Sequence, residues 1–500
     1  MAPFTAEDLE QFAARGIDPE EAAGQIALLR NPPAPIVLDR PCTTGDGITT
    51  IGETLQRELV SEGESAAAAG RITKFVPASG AATRMFGELI AALNGDVRPS
   101  ETPAGKRFFS ALDSFAFSDE LRSTAGVSGA PASAAEERAL LEAMLLTMAF
   151  ARRPKGLIPF HRSGATRTAF EEHLLEGTAY ARAADGTAKL HFTVSPESRD
   201  AFVETLGRLT PRIETERSAK LDVSFSEQHP ATDTLAIDAE GNPFRTLGGG
   251  LLFRPGGHGA LLRNLAETGG DLVVIKNIDN ILPDEANGEV VRWKRVLIGL
   301  LARLQREVFD ALSACERTDR ALDAAIRLAV LRFSRRPPHA LGSDAEKRRF
   351  VYDALDRPLR VVGVVKNEGE PGGAPFWVVG HDGTFSVQIV EFAQVNGTEA
   401  LQAKIFASST HFNPVDIACG LRSFRGDAFD LSRFVDPEAV FLSRKSHEGR
   451  ALTALERPGL WNGGMARWNT VCVEVPAGTF APVKTVFDLL RPQHQAVVSG

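Results

Sequence analysis

The stretch that decides the fold of this 500-residue chain reads Lys74-Phe75-Val76-Pro77-Ala78-Ser79-Gly80-Ala81-Ala82-Thr83-Arg84-Met85. It begins as a short apolar run, turns through small residues and enters a segment predicted to be a helix that carries Arg84. A strand that leads into a helix N-terminus leaves peptide N–H groups unpaired, and such a turn can bind an anion. Arg84 adds planar, bidentate donors that suit phosphate. An ordinary buried strand–helix turn with a surface arginine would have the same pattern, and both interpretations stay open at this point.

Strands and helices alternate on the C-terminal side of this stretch. The pattern predicts a helix over 166–182, a strand over 189–194, a helix from Ser195 to about Arg208 and strands over 221–225 and 271–275. Alternation of this kind indicates an α/β fold with a doubly wound, mostly parallel sheet. Ligands of such sheets bind beyond the carboxyl ends of the strands, and the polar motifs of this chain follow predicted strands.

The remaining segments are mostly helical in the first two thirds of the chain and β-rich from residue 351. We expect an N-terminal helical region over 1–70, a main domain over 71–490 with helical insertions at 94–150 and 287–350, and a short tail over 491–500. The basic tract at 332–336 is interpreted as a solvated helix end.

Composition and charge exclude several classes of protein. The chain has 56 Lys and Arg against 64 Asp and Glu, and the net charge of −8 argues against a general nucleic-acid-binding protein. No apolar run is long enough to cross a bilayer, and the N-terminus lacks a secretion signal, so we expect a cytoplasmic protein with no membrane partner. The four cysteines lie far apart without metal-binding spacing and are expected to be reduced and mostly buried.

Six further motifs follow the opening stretch in order along the chain. They are Pro154-Lys155-Gly156, Pro255-Gly256-Gly257-His258-Gly259, Ile278-Asp279-Asn280, Glu391-Phe392-Ala393-Gln394-Val395, Phe412-Asn413-Pro414 and Phe480-Ala481-Pro482-Val483-Lys484. Together with the Ser79 to Arg84 turn, they resemble the motifs of the UDP-sugar pyrophosphorylases. Those enzymes are GT-A-like nucleotidyltransferases that join a nucleoside triphosphate to a sugar 1-phosphate. Each motif alone is weak, but seven in the same order are specific, and we expect the closest kin in an uncharacterised bacterial family of unknown function.

The resemblance implies a GT-A-like fold, a partner pair of nucleoside triphosphate (UTP first) and sugar 1-phosphate, and a role for each matching residue. Arg84, Lys155 and Lys484 would be catalytic, and Asp279 would bind Mg²⁺ as the cofactor. Glu391 and Asn413 would bind the sugar hydroxyls. The residues implied in nucleotide binding are Ser79, Gly80, Ala81, Ala82, Thr83, Gln228, Gly257, His258 and Gly259.

The residue types suit this chemistry independently of the resemblance. Attack of a sugar-phosphate oxygen on the α-phosphorus expels pyrophosphate, and catalysis then consists of positioning and neutralisation of charge. Arg84 would neutralise the departing phosphates, Lys155 would hold the α-phosphate, and Lys484 would bridge both phosphate groups. A carboxylate such as Asp279 is a ligand of the kind that Mg²⁺ takes alongside phosphate oxygens.

The opening turn departs from the family pattern at two positions. Ser79 and Ala82 stand where the family has glycines, so the choice of nucleotide base is the property most open to change. The loop from Trp461 to Met465 fits either an aromatic contact to a sugar or a plain turn.

Two other functions fit the same fold. A GT-A glycosyltransferase that uses a ready-made nucleotide sugar usually needs an Asp-x-Asp metal pair, whereas this chain has Asn277-Ile278-Asp279. A nucleotide-binding relic without catalysis would be expected to lack Arg84, Lys155, Asp279 or Lys484, and all four are present.

Overall fold

The computed structural model describes residues 4–369, 372–380 and 383–495. The strands in these ranges are β1 (Leu38–Pro41), β2 (Thr43–Thr44), β3 (Gly47–Thr49), β4 (Ile72–Pro77), β5 (Pro159–Ser163), β6 (Ala165–Thr168), β7 (Thr187–Val194), β8 (Lys220–Glu227), β9 (Ala236–Ile237), β10 (Leu272–Lys276), β11 (Leu359–Lys366), β12 (Ala374–Val379), β13 (Phe385–Val390), β14 (His411–Gly420), β15 (Phe441–His447), β16 (Arg450–Glu456) and β17 (Asn469–Glu474).

The α-helices in the same ranges are α1 (Ala6–Arg15), α2 (Pro19–Arg30), α3 (Glu53–Ala68), α4 (Gly87–Asn94), α5 (Pro103–Ser110), α6 (Ser118–Ala125), α7 (Ala134–Glu142), α8 (Ala169–Tyr180), α9 (Arg199–Arg217), α10 (Leu261–Glu267), α11 (Gly288–Arg317), α12 (Leu322–Phe333), α13 (Asp344–Leu355) and α14 (Ala400–Ala407). Short 3-10 turns lie between them, including Ala82–Arg84, Lys155–Leu157, Asp284–Ala286 and Pro492–His494.

The chain divides into two compact units, each built from segments distant in sequence. Unit 1 comprises the described residues of Met1–Gly63, Gln228–Val274 and Leu297–Val475, and unit 2 those of Glu64–Glu227, Ile275–Val296 and Pro476–Gly500. The division into an N-terminal region, a main domain with insertions and a tail stays a prediction. The first three residues of that N-terminal region and residues 496–500 of that tail lie outside the described part of the chain.

Unit 2 is built on three parallel neighbours in the order β4-β7-β8. Lys74 pairs with Leu190, and Leu190 pairs with Val223. A large apolar core packs against these strands, and a group of phenylalanine rings in contact with one another belongs to it or packs against it (Phe170, Phe192, Phe202 and Phe225). Almost every residue of α8 is buried in this unit, so α8 is a core helix in spite of its charged residues.

Unit 1 has the strand order β2-β3-β17-β11-β14, in which β14 is antiparallel to β11 and the other pairs are parallel. Two smaller antiparallel sheets, β1-β12-β13 and β15-β16-β9, belong to the same unit. The boundary between the units falls inside β10. The prediction of an α/β fold built on mostly parallel strands is confirmed.

Several local predictions are confirmed and others are wrong. The strands predicted at 189–194, 221–225 and 271–275 are the cores of β7, β8 and β10. The helix predicted to carry Arg84 begins only at Gly87, and Arg84 lies on a 3-10 turn ahead of it. The helix predicted to end near Arg208 runs through Pro211 to Arg217.

Strand β14 shows why some elements escaped the sequence analysis. Its Asn413-Pro414-Val415 segment contains a proline, which disfavours a strand, and the register with β11 shifts between Gly363 and Val365. Val415 adopts φ 60°, an unusual conformation for a β-branched residue. Burial and pairing in the sheet therefore override a sequence pattern that argues against a strand.

The four cysteines, Cys42, Cys315, Cys419 and Cys472, are free and buried, as predicted. Among the residues that the structure describes, no helix combines the length and the apolar character that a bilayer-spanning segment needs.

Candidate active site

The opening turn of unit 2 projects from the end of β4 and presents free backbone donors. Ala78 donates its N–H to the Thr193 carbonyl at 2.8 Å, which anchors the turn to β7. Ser79, Gly80 and Ala81 are exposed, and their peptide N–H groups donate to no other residue in the described ranges. Consecutive free N–H groups favour anions, and binding of an anion by this turn stays a prediction.

The Lys155 loop is docked against this turn. Ala82 donates to the Arg153 carbonyl at 3.0 Å, and Lys155 donates its backbone N–H to the Gly80 carbonyl at 3.0 Å. The Thr83 hydroxyl donates to the Ala151 carbonyl at 2.8 Å, so this predicted nucleotide ligand is engaged in holding the two loops together. Arg84, next to it, is exposed.

The charged centre of the site is the Asp279 carboxylate. Lys155 Nζ and Lys484 Nζ each lie 3.0 Å from Asp279 Oδ2, and Lys155 Nζ also donates to the Val483 carbonyl at 3.1 Å. Three segments that are far apart in sequence therefore bring one carboxylate and two ammonium groups together.

Backbone pairing fixes this arrangement. Val483 donates its N–H to the Asp279 carbonyl at 2.9 Å, and Asn280 Oδ1 accepts the Ala481 N–H at 3.0 Å. The segment that carries Lys484 is thus held along the segment that carries Asp279, and the position of Lys484 is set by main-chain geometry.

The electrostatics of Asp279 are dominated by burial and by its two lysines. Burial disfavours the charged form, but the charges and hydrogen bonds of Lys155 and Lys484 outweigh it and hold the pKa of Asp279 below its ordinary value. The second carboxylate oxygen, Asp279 Oδ1, is buried and has no hydrogen-bond partner among the described residues. An unpartnered buried carboxylate oxygen is a site for a cation or for a donor on a ligand.

The residues of this site fit a Mg²⁺ ion held mainly by the substrate. No group of three or more His, Cys, Asp and Glu side chains in the described ranges is arranged to hold a metal. Mg²⁺ in phosphate-transfer sites commonly takes one or two carboxylates and completes its coordination with phosphate oxygens and water. The unpartnered Asp279 Oδ1 suits that arrangement.

The glycine-rich loop before α10 lies in unit 1, and its glycines allow close packing. Gly257 has φ 72°, and a Cβ on Gly259 would lie 2.1 Å from the Pro458 carbonyl oxygen. The His258 ring stacks on Trp461 with centroids 4.1 Å apart, and its Nδ1 accepts the Leu460 N–H at 3.1 Å. Burial lowers the pKa of His258 to about 4 in spite of nearby Glu456, so the ring is neutral near pH 7.

Glu391 belongs to the same part of unit 1. Burial raises the pKa of Glu391, while hydrogen bonding to Trp461 and Asn462 acts in the opposite direction. Asn462 Nδ2 donates to the Ile389 carbonyl at 3.2 Å and to Gln394 Oε1 at 3.3 Å. His258 and Glu391 therefore both contact the Trp461–Asn462 turn, for which the sequence allowed either a ligand contact or a plain turn.

Two other predicted ligand-binding residues of unit 1, Asn413 and Gln228, have no contact within the described ranges that points to a ligand. Asn413 Oδ1 accepts the Val415 N–H at 2.9 Å, which supports the unusual conformation of Val415, and only its buried Nδ2 has no partner among the described residues. Gln228 is half-buried just after β8 in sequence. The ligand-binding roles of these residues stay predictions.

Sequence reasoning missed Arg360 on β11. This arginine is fully buried, and it donates to Thr470 Oγ1 at 2.8 Å and to the Trp461 carbonyl at 2.7 Å. Burial lowers the pKa of Arg360 to about 10. The only signal in the sequence was a charged residue inside an apolar strand, a pattern that Lys74 shares.

The solved structures that this chain resembles include UDP-sugar pyrophosphorylases. The UDP-N-acetylglucosamine pyrophosphorylase of Trypanosoma brucei, solved with an inhibitor, matches with a TM-score of 0.51 and 14% identity, over 97% of this chain and 79% of that one. A UDP-glucose pyrophosphorylase variant from Leishmania major, solved with UDP-glucose, matches with a TM-score of 0.46 and 13% identity, over 97% and 77%. At these identities the first match establishes the fold, which is UDP-sugar pyrophosphorylase-like.

None of the curated proteins matches this chain. Residues 5–495 match a family described only as a domain of unknown function. Because that match spans nearly the whole chain, the protein belongs to the DUF4301 family.

Proposed function

We propose that the protein is a nucleotidyltransferase that joins a nucleoside triphosphate, with UTP as the first candidate, to a sugar 1-phosphate and releases pyrophosphate. The observation that carries the proposal is the convergence of Lys155 and Lys484 on Asp279 beside the free N–H groups of the 79–81 turn. Two cations, a buried carboxylate and exposed backbone donors form a site for a polyanion and its metal.

The proposed reaction forms one bond and breaks one bond at the α-phosphorus. A phosphate oxygen of the sugar 1-phosphate attacks the α-phosphorus of the triphosphate, and the bond to the β-phosphate oxygen breaks and releases pyrophosphate. Charge shifts from the attacking phosphate to the departing pyrophosphate, so fixed cations on both sides stabilise the transition state. Lys155 binds the α-phosphate, Lys484 bridges the two phosphate groups, and Arg84 neutralises the departing phosphates.

Asp279 would hold Mg²⁺, which would supply charge neutralisation on the phosphate oxygens. The phosphates of a bound triphosphate would give Lys155 and Lys484 new partners beside the carboxylate. Asp279 thereby holds both lysines at the site before the substrate arrives.

Unit 1 supplies candidates for recognition of the base and sugar. We assign Gln228 and the Gly257-His258-Gly259 loop to the base and ribose, and Glu391 and Asn413 to the sugar hydroxyls. The support is the stacking of His258 on Trp461 and the contact of Glu391 with the same turn. Because Nδ1 of the neutral His258 accepts the Leu460 N–H, Nε2 carries the proton and can donate a hydrogen bond to a ligand without adding a positive charge.

Pyrophosphate release from a panel of nucleoside triphosphates and sugar 1-phosphates, with Mg²⁺ present, tests the proposal. We expect turnover with at least one pair. We also expect Lys155→Met and Asp279→Asn to lower kcat by about 10²–10³-fold, the usual effect of removing one group that stabilises transition-state charge. Lys189→Met, a change at an exposed lysine on β7, is the matched control and leaves turnover unchanged.

Two outcomes would contradict the assignment. One is the absence of turnover with every pair, together with unchanged triphosphate binding in Asp279→Ala and Lys155→Ala. The other is release of a nucleoside diphosphate from a nucleotide sugar without pyrophosphate chemistry, which would identify a glycosyltransferase.

A further inference from the structure

We infer that one buried face of α8, formed by Glu172, His173 and Glu176, positions the segment that carries Asp279. These three side chains lie outside every motif that resembles a known family. The inference deepens the proposed function and rests on it, because it concerns the placement of the carboxylate assigned to metal and lysine binding.

Each of the three side chains holds a different point of that segment. Glu176 forms an ion pair with Lys276, three residues before Asp279. His173 Nε2 lies 3.2 Å from the Ile278 carbonyl oxygen, immediately before Asp279. Glu172 Oε2 accepts the Asp284 N–H at 3.0 Å, five residues after Asp279. The carboxylate is therefore bracketed by fixed points on both sides.

The spacing on the helix explains why one element can make all three contacts. Glu172 and Glu176 are four residues apart and share a face, and His173 is adjacent to that face. All three side chains are fully buried. Buried polar groups are costly unless they are hydrogen-bonded, so their partners on the 276–284 segment account for their presence in an otherwise apolar helix.

The same face also holds the strand that leads to the opening turn. Lys74 on β4 lies 3.0 Å from Glu176 Oε1 and donates to the His173 carbonyl at 2.8 Å. Helix α8 thus fixes both the strand before the 79–81 turn and the segment with Asp279. These residues act through others and touch no reacting atom, so we assign them as positioning residues.

Glu171 on the same helix provides a matched control for changes at Glu172, His173 and Glu176. Glu171 is also buried, but it pairs with Arg167 and Arg212 rather than with the Asp279 segment. A change at Glu171 perturbs the helix and its packing without altering any of the three contacts.

The Asp284 amide offers the sharpest test, because a proline there removes the N–H that Glu172 accepts. Asp284 is the first residue of a 3-10 turn after Pro283, a position where proline is tolerated. Asp284→Ala keeps the N–H and loses only the carboxylate that pairs with Arg217. We expect Asp284→Pro to lower kcat about tenfold or more below Asp284→Ala, with the KM for the triphosphate changed by less than about twofold.

His173 provides a second, independent pair of variants. His173→Leu removes the donor to the Ile278 carbonyl, whereas His173→Gln places an amide N–H in its stead. We expect His173→Leu to lower kcat by about 10–100-fold and His173→Gln to recover most of it, while Glu171→Gln retains the wild-type kcat. Equal kcat in Asp284→Pro and Asp284→Ala, or failure of His173→Gln to exceed His173→Leu, overturns the inference.

Hydrogen exchange of the peptide that contains residues 277–283 separates this inference from the proposed function. We expect its amides to exchange at least about tenfold faster in His173→Leu than in Glu171→Gln or the wild type. If the wild type releases no pyrophosphate with any substrate pair, the proposed function fails, and faster exchange still supports positioning by α8. Unchanged exchange in His173→Leu overturns the inference whatever the activity.

Discussion

Two glycines of the candidate site have very different surroundings. A Cβ placed on Gly80 would have no atom within 4 Å, whereas a Cβ on Gly156 would lie 3.0 Å from Phe202 Cζ and 3.1 Å from Ile278 Cγ1. Gly80 therefore leaves space open to a ligand, and Gly156 allows the Lys155 loop to pack closely on the core of unit 2.

Alanine substitutions at these glycines are expected to separate binding from stability. Gly80→Ala should change the free energy of unfolding by less than about 0.5 kcal/mol but raise the KM for the triphosphate, because the methyl group occupies space beside the free N–H groups. Gly156→Ala should destabilise the protein by about 1–3 kcal/mol through overpacking. Urea unfolding and steady-state kinetics on both variants check the two effects, and a KM change only in Gly156→Ala would contradict the assignment of the turn.

Arg84 is exposed and lies on the 3-10 turn beside the free donors. We expect Arg84→Met to leave the unfolding free energy within about 0.5 kcal/mol of wild type, since an exposed side chain contributes little to stability. Its kcat should fall by about 10²–10³-fold, and Arg84→Lys should recover only part of the loss because a point charge replaces a bidentate donor. Full activity in Arg84→Met would remove this residue from the catalytic set.

At the scale of elements, the 3-10 turn Pro492–His494 is joined to α8 by a buried polar chain in unit 2. His161 Nδ1 lies 3.1 Å from Glu172 Oε1, and His161 Nε2 lies 2.9 Å from His494 Nδ1. Burial lowers the pKa of His161 and of His494 to about 3 and raises the pKa of Glu172 to about 8. Burial thus keeps the two imidazoles and the carboxyl group uncharged at mildly acidic to neutral pH.

The combined contribution of His161, His494 and Glu172 to the free energy of unfolding is therefore expected to be largest near pH 6.5, the ordinary pKa of histidine. Below that pH the unfolded chain binds protons that the folded histidines do not, so acid destabilises the fold by up to about 1.4 kcal/mol per pH unit for each histidine. Between the ordinary Glu pKa of 4.5 and about 8 the folded state retains the Glu172 proton that the unfolded state has lost, so rising pH destabilises the fold in this window. Above pH 6.5, Glu172 is the one of these three groups whose contribution to stability still changes with pH.

Urea unfolding between pH 5 and pH 8 measures both limbs of this profile. We expect Glu172→Gln to flatten the alkaline limb and His494→Phe to reduce the slope of the acid limb. His339→Gln, at an exposed position, is the control and should leave the profile unchanged. A profile unaffected by both buried substitutions would exclude this chain as the origin of the pH dependence.

At the scale of the whole molecule, the predicted chemistry is distributed over the two units. Unit 2 contains the turn with Arg84, the two lysines and Asp279, and unit 1 contains the His258 loop, Glu391 and Asn413. The order of motifs along the chain singled out Lys155, Asp279 and Lys484, which lie together in unit 2. The fold class was predictable because predicted strands and helices alternate along the chain.

Other features depend on packing that a linear pattern does not encode. Glu172, His173 and Glu176 have no motif, and their importance appears only when α8 is found buried against the Asp279 segment. Strand β14 was not predicted because a proline, Pro414, argues against a strand. The structural roles of Thr83 and Asn413 each depend on a single hydrogen bond with the backbone.

Lys155 and Lys484 both contact the same oxygen of Asp279, and this arrangement affects how strongly the free protein binds polyanions. Lys155 and Lys484 already have an internal counter-ion, and the chain as a whole carries a net charge of −8. An incoming polyelectrolyte therefore competes with this carboxylate for both lysines, and we expect no retention on a heparin column even at low ionic strength. Asp279→Asn removes the counter-ion while preserving the shape, so this variant should bind heparin and sulfate more strongly than the wild type.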